Sequence, residues 1–227
     1  MKKIFLSIII LFSFEYSASS HVAHYSKFNY LEYELFRNNK SIGYHKYNFI
    51  RKNETLSIKS EVNFNITKLG VDLYKYYAVS EEVYKNDEFF KFSSKKNKNK
   101  KQKYVNISFD STSNSLIIDG SSYKGKTSKD HIVGTWWNHE IVKSKAQISA
   151  ISGRVIEQTV TFIGKEQIII NGKTFNALHF NFKSSDETLP GNKKLDTDIW
   201  YDEKTLLWIK AAFDKTGYWE YRIKSYN

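Results

Sequence analysis

TLSIKSEVNFNI, residues 55–66, alternates between side chains that favour a protein interior and side chains that favour water. At the even-numbered positions five of the six residues are apolar, and every residue between them is polar or charged. Successive side chains of a β-strand point to opposite faces, so this alternation is typical of a half-buried strand. The stretch therefore predicts sheet structure in the first third of the chain.

The same period of two continues on both sides of this stretch. Before it, residues 28–50 read as two alternating runs with a turn at Asn39-Lys40-Ser41. After it, Leu69-Gly70 predicts a turn into a long strand over residues 71–84. One face of that strand is mostly apolar and consists of Val71, Leu73, Lys75, Tyr77, Val79, Glu81 and Val83.

The second half of the chain returns to this pattern after one interruption. Residues 128–148 lack clean alternation and predict a short helical or loop insertion. Further on, Asn171-Gly172 lies between two alternating runs and is a strong signal for a two-residue type I′ hairpin. The predicted fold is all-β, an antiparallel meander of about a dozen strands curled into a barrel, a half-barrel or a sandwich.

The N-terminus has the three parts of a secretory signal. Lys2 and Lys3 precede an uncharged run over residues 4–14, and small and polar residues follow at 15–20. A membrane-spanning helix needs about 20 apolar residues, so this run is better explained as a cleaved signal than as an anchor. The pattern favours cleavage before His21.

The expected organisation is thus a signal peptide over residues 1–20 and a single β-rich domain over residues 21–227, located in the periplasm or secreted. No later stretch approaches membrane-spanning length, so no transmembrane segment is expected after cleavage. Without residues 1–20 the chain keeps 33 basic and 23 acidic residues, a net charge of +10. That charge favours anionic partners, although a genome rich in Lys and Asn codons explains it equally simply.

Composition and missing motifs exclude several functions. The chain has no cysteine, which rules out disulfides, cysteine-ligated metals, a thiol nucleophile and a lipid-modified N-terminal cysteine. No G-x-S-x-G nucleophile turn, phosphate-binding loop or dinucleotide fingerprint is present. We therefore expect no catalytic residue of these classes and no cofactor.

One segment is dominated by lysine. Residues 95–103 hold six lysines in nine positions and are predicted to form a solvated hairpin tip. The alternative is contact with an anionic surface. A nucleic-acid partner is not expected, because the segment lacks interleaved aromatic residues and the chain is expected to be exported. The candidate contact residues are Lys95, Lys96, Lys98, Lys100, Lys101 and Lys103.

A second segment concentrates aromatic and polar groups within the insertion. Trp136 and Trp137 are adjacent, and Asn138 and His139 follow them. Tryptophan offers a large rigid surface and a polar N–H, so these four residues are candidates for binding a ligand at the mouth of the curled sheet. The structural alternative is that one tryptophan plugs the end of the barrel and the other covers an edge.

Two further arrangements contain groups that are suited to chemistry. Asp196 and Asp198 are two apart in a predicted strand and share a face, so with His139 they could perform acid–base chemistry in a hydrolase or lyase. The alternative is an ordinary solvent-facing strand entry. His131, His139 and Glu140 match no zinc-binding spacing, and no metal site is expected.

Several short segments in this order resemble an uncharacterised family, a domain of unknown function, of exported β-rich proteins from Gram-negative bacteria. They are residues 31–36 (LEYELF), 41–45 (SIGYH), 69–77, 136–139 (WWNH), 196–202 (DTDIWYD) and 207–210 (LWIK). The resemblance implies an exported β fold and a periplasmic location, and it implies no activity and no catalytic residues. By fold-level analogy, related exported families resemble lipoprotein-carrier half-barrels.

Three hypotheses of function follow, in decreasing order of preference. The first is a non-catalytic binding or carrier module for an apolar or amphiphilic ligand such as lipid. The second is a structural or interaction protein of the envelope that docks on a protein or an anionic surface. The third is the hydrolase or lyase that uses the two aspartates and His139.

Overall fold

The computed structural model describes residues 25–227, without the side chains of Lys68 and Asn192, and the predicted signal over residues 1–20 lies outside this range. Fifteen strands in these residues form a single sheet. They are β1 (Tyr30–Arg37), β2 (Lys40–Lys52), β3 (Thr55–Lys68), β4 (Val71–Lys85), β5 (Glu88–Lys98), β6 (Lys101–Asp110), β7 (Ser115–Gly120), β8 (Lys124–Ser128), β9 (Ile132–Val133), β10 (Ala146–Ile148), β11 (Val155–Ile170), β12 (Lys173–Ser184), β13 (Asp196–Asp202), β14 (Trp208–Asp214) and β15 (Tyr218–Tyr226).

The sheet is a meander in which the first and last strands of the chain pair with each other at the centre of the sheet. Its order is β8-β7-β6-β5-β4-β3-β2-β1-β15-β14-β13-β12-β11-β10-β9, and only the β9–β10 pair is parallel. The first strand pairs with the last, from Leu31 opposite Tyr226 to Arg37 opposite Trp219. β8 and β9 remain as free edges, so the sheet is not closed into a barrel. The prediction of an all-β antiparallel meander is confirmed.

Curvature brings the two halves of the sheet into contact across a concave side. Tyr33 on β1 stacks on Trp208 of β14 with ring centroids 4.0 Å apart. The loop between β10 and β11 reaches the opposite half, where Ala150 O accepts from Ser94 Oγ at 2.5 Å and Ser152 O accepts from Ser122 N at 2.9 Å. The concave side therefore holds the core.

The predicted insertion is present and short. Residues 134–145 contain one 3₁₀ helix, His139–Lys143, which is capped by the Asn138 side chain. A second 3₁₀ turn, Gly191–Lys193, lies in the loop before β13. None of the helices in residues 25–227 has the length and apolar character needed to cross a membrane.

The mostly apolar face of β4 is not its buried face over most of the strand. Of that set Val71, Leu73, Tyr77 and Val79 are exposed and Val83 is buried, while Ala78, Glu82 and Tyr84 are also buried. Residues directly opposite in an antiparallel pair point to the same side, and Phe64 of β3 lies opposite Tyr76. Because β3 turns Ile58 and Phe64 inward, its register decides the face of β4 that is buried.

The lysine segment is more ordered than predicted. β5 continues to Lys98 and β6 begins at Lys101, so only Asn99-Lys100 forms the turn. Lys96 and Lys98 are half-buried over the rings of Tyr76 and Tyr74, at 5.6 and 4.3 Å from the centroids. The segment is thus two strand ends and a turn, and two of its lysines lie over aromatic rings.

Candidate functional site

The tryptophan segment is held by hydrogen bonds from both halves of the sheet. Tyr47 of β2 donates its hydroxyl to Thr135 O at 2.7 Å, and Tyr201 of β13 donates to Trp136 O at 2.9 Å. Trp136 has a φ of +61°, a left-handed conformation that is strained for a large side chain. Consecutive side chains of this segment consequently enter different environments.

Trp137 is a core residue. Its side chain is 0% exposed and meets Tyr25 and Phe49 edge-on, with ring centroids 5.3 and 5.5 Å apart. Its indole N–H donates to Glu82 Oε2 at 2.9 Å. This is the plugging role that the sequence left open for one of the two tryptophans.

Glu82 is the acceptor that ties the insertion to β4. It is 2% exposed and also accepts hydrogen bonds from Tyr84 Oη at 2.6 Å and Thr135 Oγ1 at 3.2 Å. Burial raises the pKa of the Glu82 carboxyl, and the three donors partly oppose this shift. The group is a structural anchor inside the core.

Asn138 and His139 lie at the start of the 3₁₀ helix. Asn138 Oδ1 accepts from Glu140 N at 3.1 Å, and His139 Nε2 lies 3.0 Å from Glu140 Oε1. Asn138 and Glu140 line a cavity of about 450 Å³ together with His131 and Lys143. The four residues predicted to bind a ligand together therefore do not share one cavity, and their contact with a ligand stays a prediction.

Trp136 lines a different cavity, on the concave side of the sheet, which we call the cleft. The cleft has a volume of about 400 Å³. Trp136 packs edge-on against Trp208 and Tyr221, with centroids 5.5 and 5.8 Å apart. The other residues that form the aromatic and aliphatic wall are His45, Tyr47, Val62, Tyr76 and Ala78.

Polar atoms within this wall lack partners among residues 25–227. Both ring nitrogens of His45 and the indole nitrogen of Trp136 are buried and accept or donate no hydrogen bond within that range. Burial lowers the pKa of His45 to about 3, which keeps its ring neutral at ordinary pH. A neutral imidazole has one donor and one acceptor, so the apolar wall encloses two donors and one acceptor that no residue of 25–227 satisfies, and all three atoms are covered by the surrounding side chains.

The rim of the cleft is mostly cationic. Lys96, Arg154, Lys194 and Lys215 line it with the acidic Asp214, and Asp196 contributes to the lining while its carboxylate accepts from Asn181 on the other face of β13. Burial, together with the charges of Lys103 and Lys98, lowers the pKa of Lys96 to about 8. Burial also lowers the pKa of Lys215, and the charges of Arg154 and Lys98 add to the effect.

The charges that act on Lys215 come from two other elements. Lys98 belongs to β5, Arg154 precedes β11, and Lys215 lies in the turn between β14 and β15. Like charges held close together are relieved by an anion, which would restore the pKa values of the lysines. The cleft therefore combines an apolar wall with a positive rim.

Asp196 and Asp198 lie on the opposite face of β13 from the buried Ile199. They share a face as predicted, since Asn181 Nδ2 donates to both at 3.1 and 3.2 Å. Asp198 pairs with His179, whose Nε2 lies 3.0 Å from its carboxylate, and His139 pairs instead with Glu140. In the described contacts the histidine beside the aspartates is therefore His179 and not the predicted His139.

His179 also contacts a second carboxylate. Its Nδ1 lies 3.1 Å from Glu166 Oε1, which accepts from Trp200 Nε1 at 2.6 Å, and its ring stacks on Trp200. In residues 25–227 no group of three or more His, Asp or Glu side chains is arranged to hold a metal ion. We interpret this convex-side cluster as a cross-strand network between β11, β12 and β13.

Of the residues that line the cleft, sequence reasoning named Trp136, Lys96 and Asp196 as candidates and missed the others. His45 shares a face of β2 with the buried Tyr47 and Phe49, so its inward direction was readable from the alternation. Tyr76, Tyr221 and Arg154 carried no such signal, because their shared location depends on the curvature of the sheet.

Comparisons with known proteins agree with this description. The crystal structure of a β-barrel-like protein of the domain of unknown function DUF1849 from Brucella abortus is similar, with a TM-score of 0.61 and 10% identity. The similarity covers 87% of this chain and 96% of that one, and at this identity it supports the fold alone. No curated protein matches the sequence. The model of the family described as "Domain of unknown function (DUF6134)" matches residues 33–224, and the chain therefore belongs to that family.

Proposed function

We propose that this protein is an exported, periplasmic, non-catalytic binding or carrier module for an amphiphilic ligand such as a lipid. The observation that carries the proposal is the cleft, in which an aromatic and aliphatic wall lies beside a cationic rim. Its volume of about 400 Å³ falls within the range typical of small-molecule sites. The location rests on the sequence pattern of residues 1–20.

The wall supports an apolar tail as one part of the ligand. Val62, Ala78 and Tyr221 offer surfaces whose burial against an acyl chain is favourable by about 25 cal/mol per Å² of apolar area. The buried nitrogens of His45 and Trp136 would bind a polar group beside that tail after a side-chain movement that exposes them. Amphiphiles supply both kinds of surface in one molecule.

The rim supports an anionic head group. Lys96 and Lys215 both have lowered pKa values, so bringing a carboxylate or phosphate near them relieves repulsion as well as adding attraction. The acidic Asp214 moderates the positive rim and leaves an excess of cations. We therefore favour a single anionic head over a neutral one.

The test begins with the chain produced with its own N-terminus in a Gram-negative host. Periplasmic fractionation and the mass of the first residue check export and cleavage before His21. Native mass spectrometry of the purified protein, followed by solvent extraction, then checks for a carried amphiphile. Oleate and its uncharged analogue oleyl alcohol serve as defined probes, and binding is followed by tryptophan fluorescence.

Two variants and one control make the test specific to the cleft. Trp136→Gly removes the ring at a backbone position that glycine adopts readily, and we expect oleate binding to be lost. Lys215→Gln should weaken oleate roughly fivefold to tenfold and leave oleyl alcohol unchanged. Phe162→Ser removes an exposed aromatic ring on β11, outside the cleft, and should change neither. A protein that carries no amphiphile and binds neither probe would contradict the proposal.

A further inference from the structure

The hairpin of β3 and β4 extends beyond its neighbours. Pairing with β2 ends where Gly43 lies opposite Phe64, and pairing with β5 ends where Tyr76 lies opposite Lys98. The residues between these limits, 65–75, therefore project from the sheet as a two-stranded ribbon. We call this part of the hairpin the ribbon.

The turn at the end of the ribbon has an unusual composition. Leu69 and Gly70 have φ angles of +50° and +77°. In residues 25–227 five other turns have two consecutive residues at positive φ: Asn38-Asn39, Asn86-Asp87, Asn99-Lys100, Asn171-Gly172 and Thr216-Gly217. Four of the five have asparagine first, and asparagine tolerates this conformation, whereas leucine is strained in it. The other leucine at positive φ, Leu206, is half-buried, while Leu69 is exposed, so neither turn chemistry nor burial explains Leu69.

Apolar side chains are concentrated on one side of the ribbon. Leu69 is 95% exposed, and Val71 and Leu73, on the convex face of β4, are 61% and 53% exposed. Tyr77 and Val79 continue the exposed apolar row along the same face. A row of this kind at a protruding end is typical of a surface that contacts another apolar phase.

Positive charge surrounds the base of the ribbon on both faces. Lys95, opposite Val79, shares the convex face with the row, whereas the pairing places Lys98, Lys101 and Lys103 on the concave face. Lys100 lies in the turn between β5 and β6, and residues 89–109 contain no Asp or Glu. Asn99 N donates to Lys75 O at 3.1 Å, which holds the lysine-rich turn against the base of the ribbon. The acidic residue within 62–80, Asp72, is paired with Lys75 at 2.8 Å.

We propose that the ribbon and the adjacent lysine-rich turn form a docking surface for an anionic lipid bilayer. Leu69, Val71 and Leu73 would enter the head-group region, and the lysines of β5 and β6 would contact the lipid phosphates. Each basic residue near an anionic membrane adds to attraction, and a few inserted apolar side chains add an attraction that salt does not screen. This surface is separate from the proposed binding of an amphiphile in the cleft.

The chemistry favours a bilayer over a protein partner. The apolar side chains are at a protruding convex end, and a flat fluid surface accepts such an end without a matching pocket. The cations surround the base of the ribbon, where a head-group layer would lie when the tip is inserted. Both features follow from the register of β4 with β5.

The experiment uses protein purified after export, with the same N-terminus in every variant, and co-sedimentation with vesicles. One vesicle is pure phosphatidylcholine, and the other contains equal parts of phosphatidylcholine and phosphatidylglycerol. We expect binding to the anionic vesicle that weakens as salt rises. Binding that is equal on both vesicles would overturn the proposal of an anionic surface.

The decisive variant is Leu69→Asn, which removes the apolar tip while giving the turn the first residue that four of the five other turns of this kind have. The variant should fold at least as well as the parent and bind anionic vesicles at least tenfold more weakly. Its matched control is Ile169→Asn, which removes a side chain 73% exposed on β11 and should bind as the parent does. Equal binding by Leu69→Asn and the parent would overturn the role of the ribbon. If neither the parent nor the variants bind either vesicle, the proposal of a bilayer is also overturned, and a protein partner becomes the alternative to test.

Discussion

At the scale of single residues, a buried carboxyl determines how the insertion attaches to the sheet. Glu82 on β4 accepts from Thr135 and Trp137, which are more than fifty positions later in the chain. Removing a partner from such a group leaves a buried polar atom unsatisfied, which costs about 1–3 kcal/mol. Trp137 therefore both fills apolar space in the core and donates a hydrogen bond. Replacing it would destabilise the core, so such a variant would not be a specific test of ligand binding.

The first prediction concerns the pH dependence that Glu82 imposes. Because burial raises its pKa above the ordinary 4.5, the folded protein holds this proton more tightly than the unfolded chain does. The free energy of unfolding should then fall as the pH rises from 4.5 through the raised pKa. Glu82→Gln should flatten this part of the curve in urea denaturation at several pH values.

The control for that prediction is Glu54→Gln, at an exposed position in the turn before β3. It should keep the pH dependence of the parent over the same interval. A Glu82→Gln variant with the slope of the parent would show that other groups cause the dependence.

At the scale of elements, the SIGYH segment on β2 has two separate roles. Gly43 allows β2 and β3 to approach closely, and His45 brings an imidazole into the cleft wall. A Cβ at position 43 would lie 2.1 Å from Asn63 O and 2.6 Å from Phe64 Cα. Backbone atoms cannot move out of the way as the end of a side chain can.

The second prediction is that Gly43→Ala destabilises the fold. Forcing β2 and β3 apart should lower the free energy of unfolding by roughly 1–3 kcal/mol in urea denaturation. Gly191→Ala is the matched control, since a Cβ there would meet no atom within 4 Å. Equal stability of the two variants would mean that the strands separate without cost.

At the scale of the whole molecule, the pairing of β1 with β15 joins the two halves of the sheet. The strands are nearly two hundred positions apart in the chain, and Asn29 N donates to Asn227 O at 2.6 Å where the pairing ends. The cleft lies between side chains from both halves, including Tyr76 on β4 and Tyr221 on β15. Its existence therefore depends on the last strand.

The third prediction is that truncation after Thr216, which removes β15, abolishes cooperative unfolding. The edges of β1 and β14 would lose their partner and Tyr221 would leave the core, so protease resistance should fall sharply. A permuted chain with residues 218–227 linked ahead of residue 25 keeps every strand and should remain resistant. A truncated protein that resists protease like the parent would contradict the prediction.

The sequence by itself determined the strand pattern, the hairpin turn at Asn171-Gly172 and the family resemblance, because alternation and turn chemistry are local properties. Only the tertiary structure decided which face of β4 is buried and which tryptophan fills the core. Both faces of β4 carry apolar residues, and the choice depends on its register with β3. The cleft could not be predicted from the sequence either, because its wall and rim come from strands that approach one another only when the sheet curls.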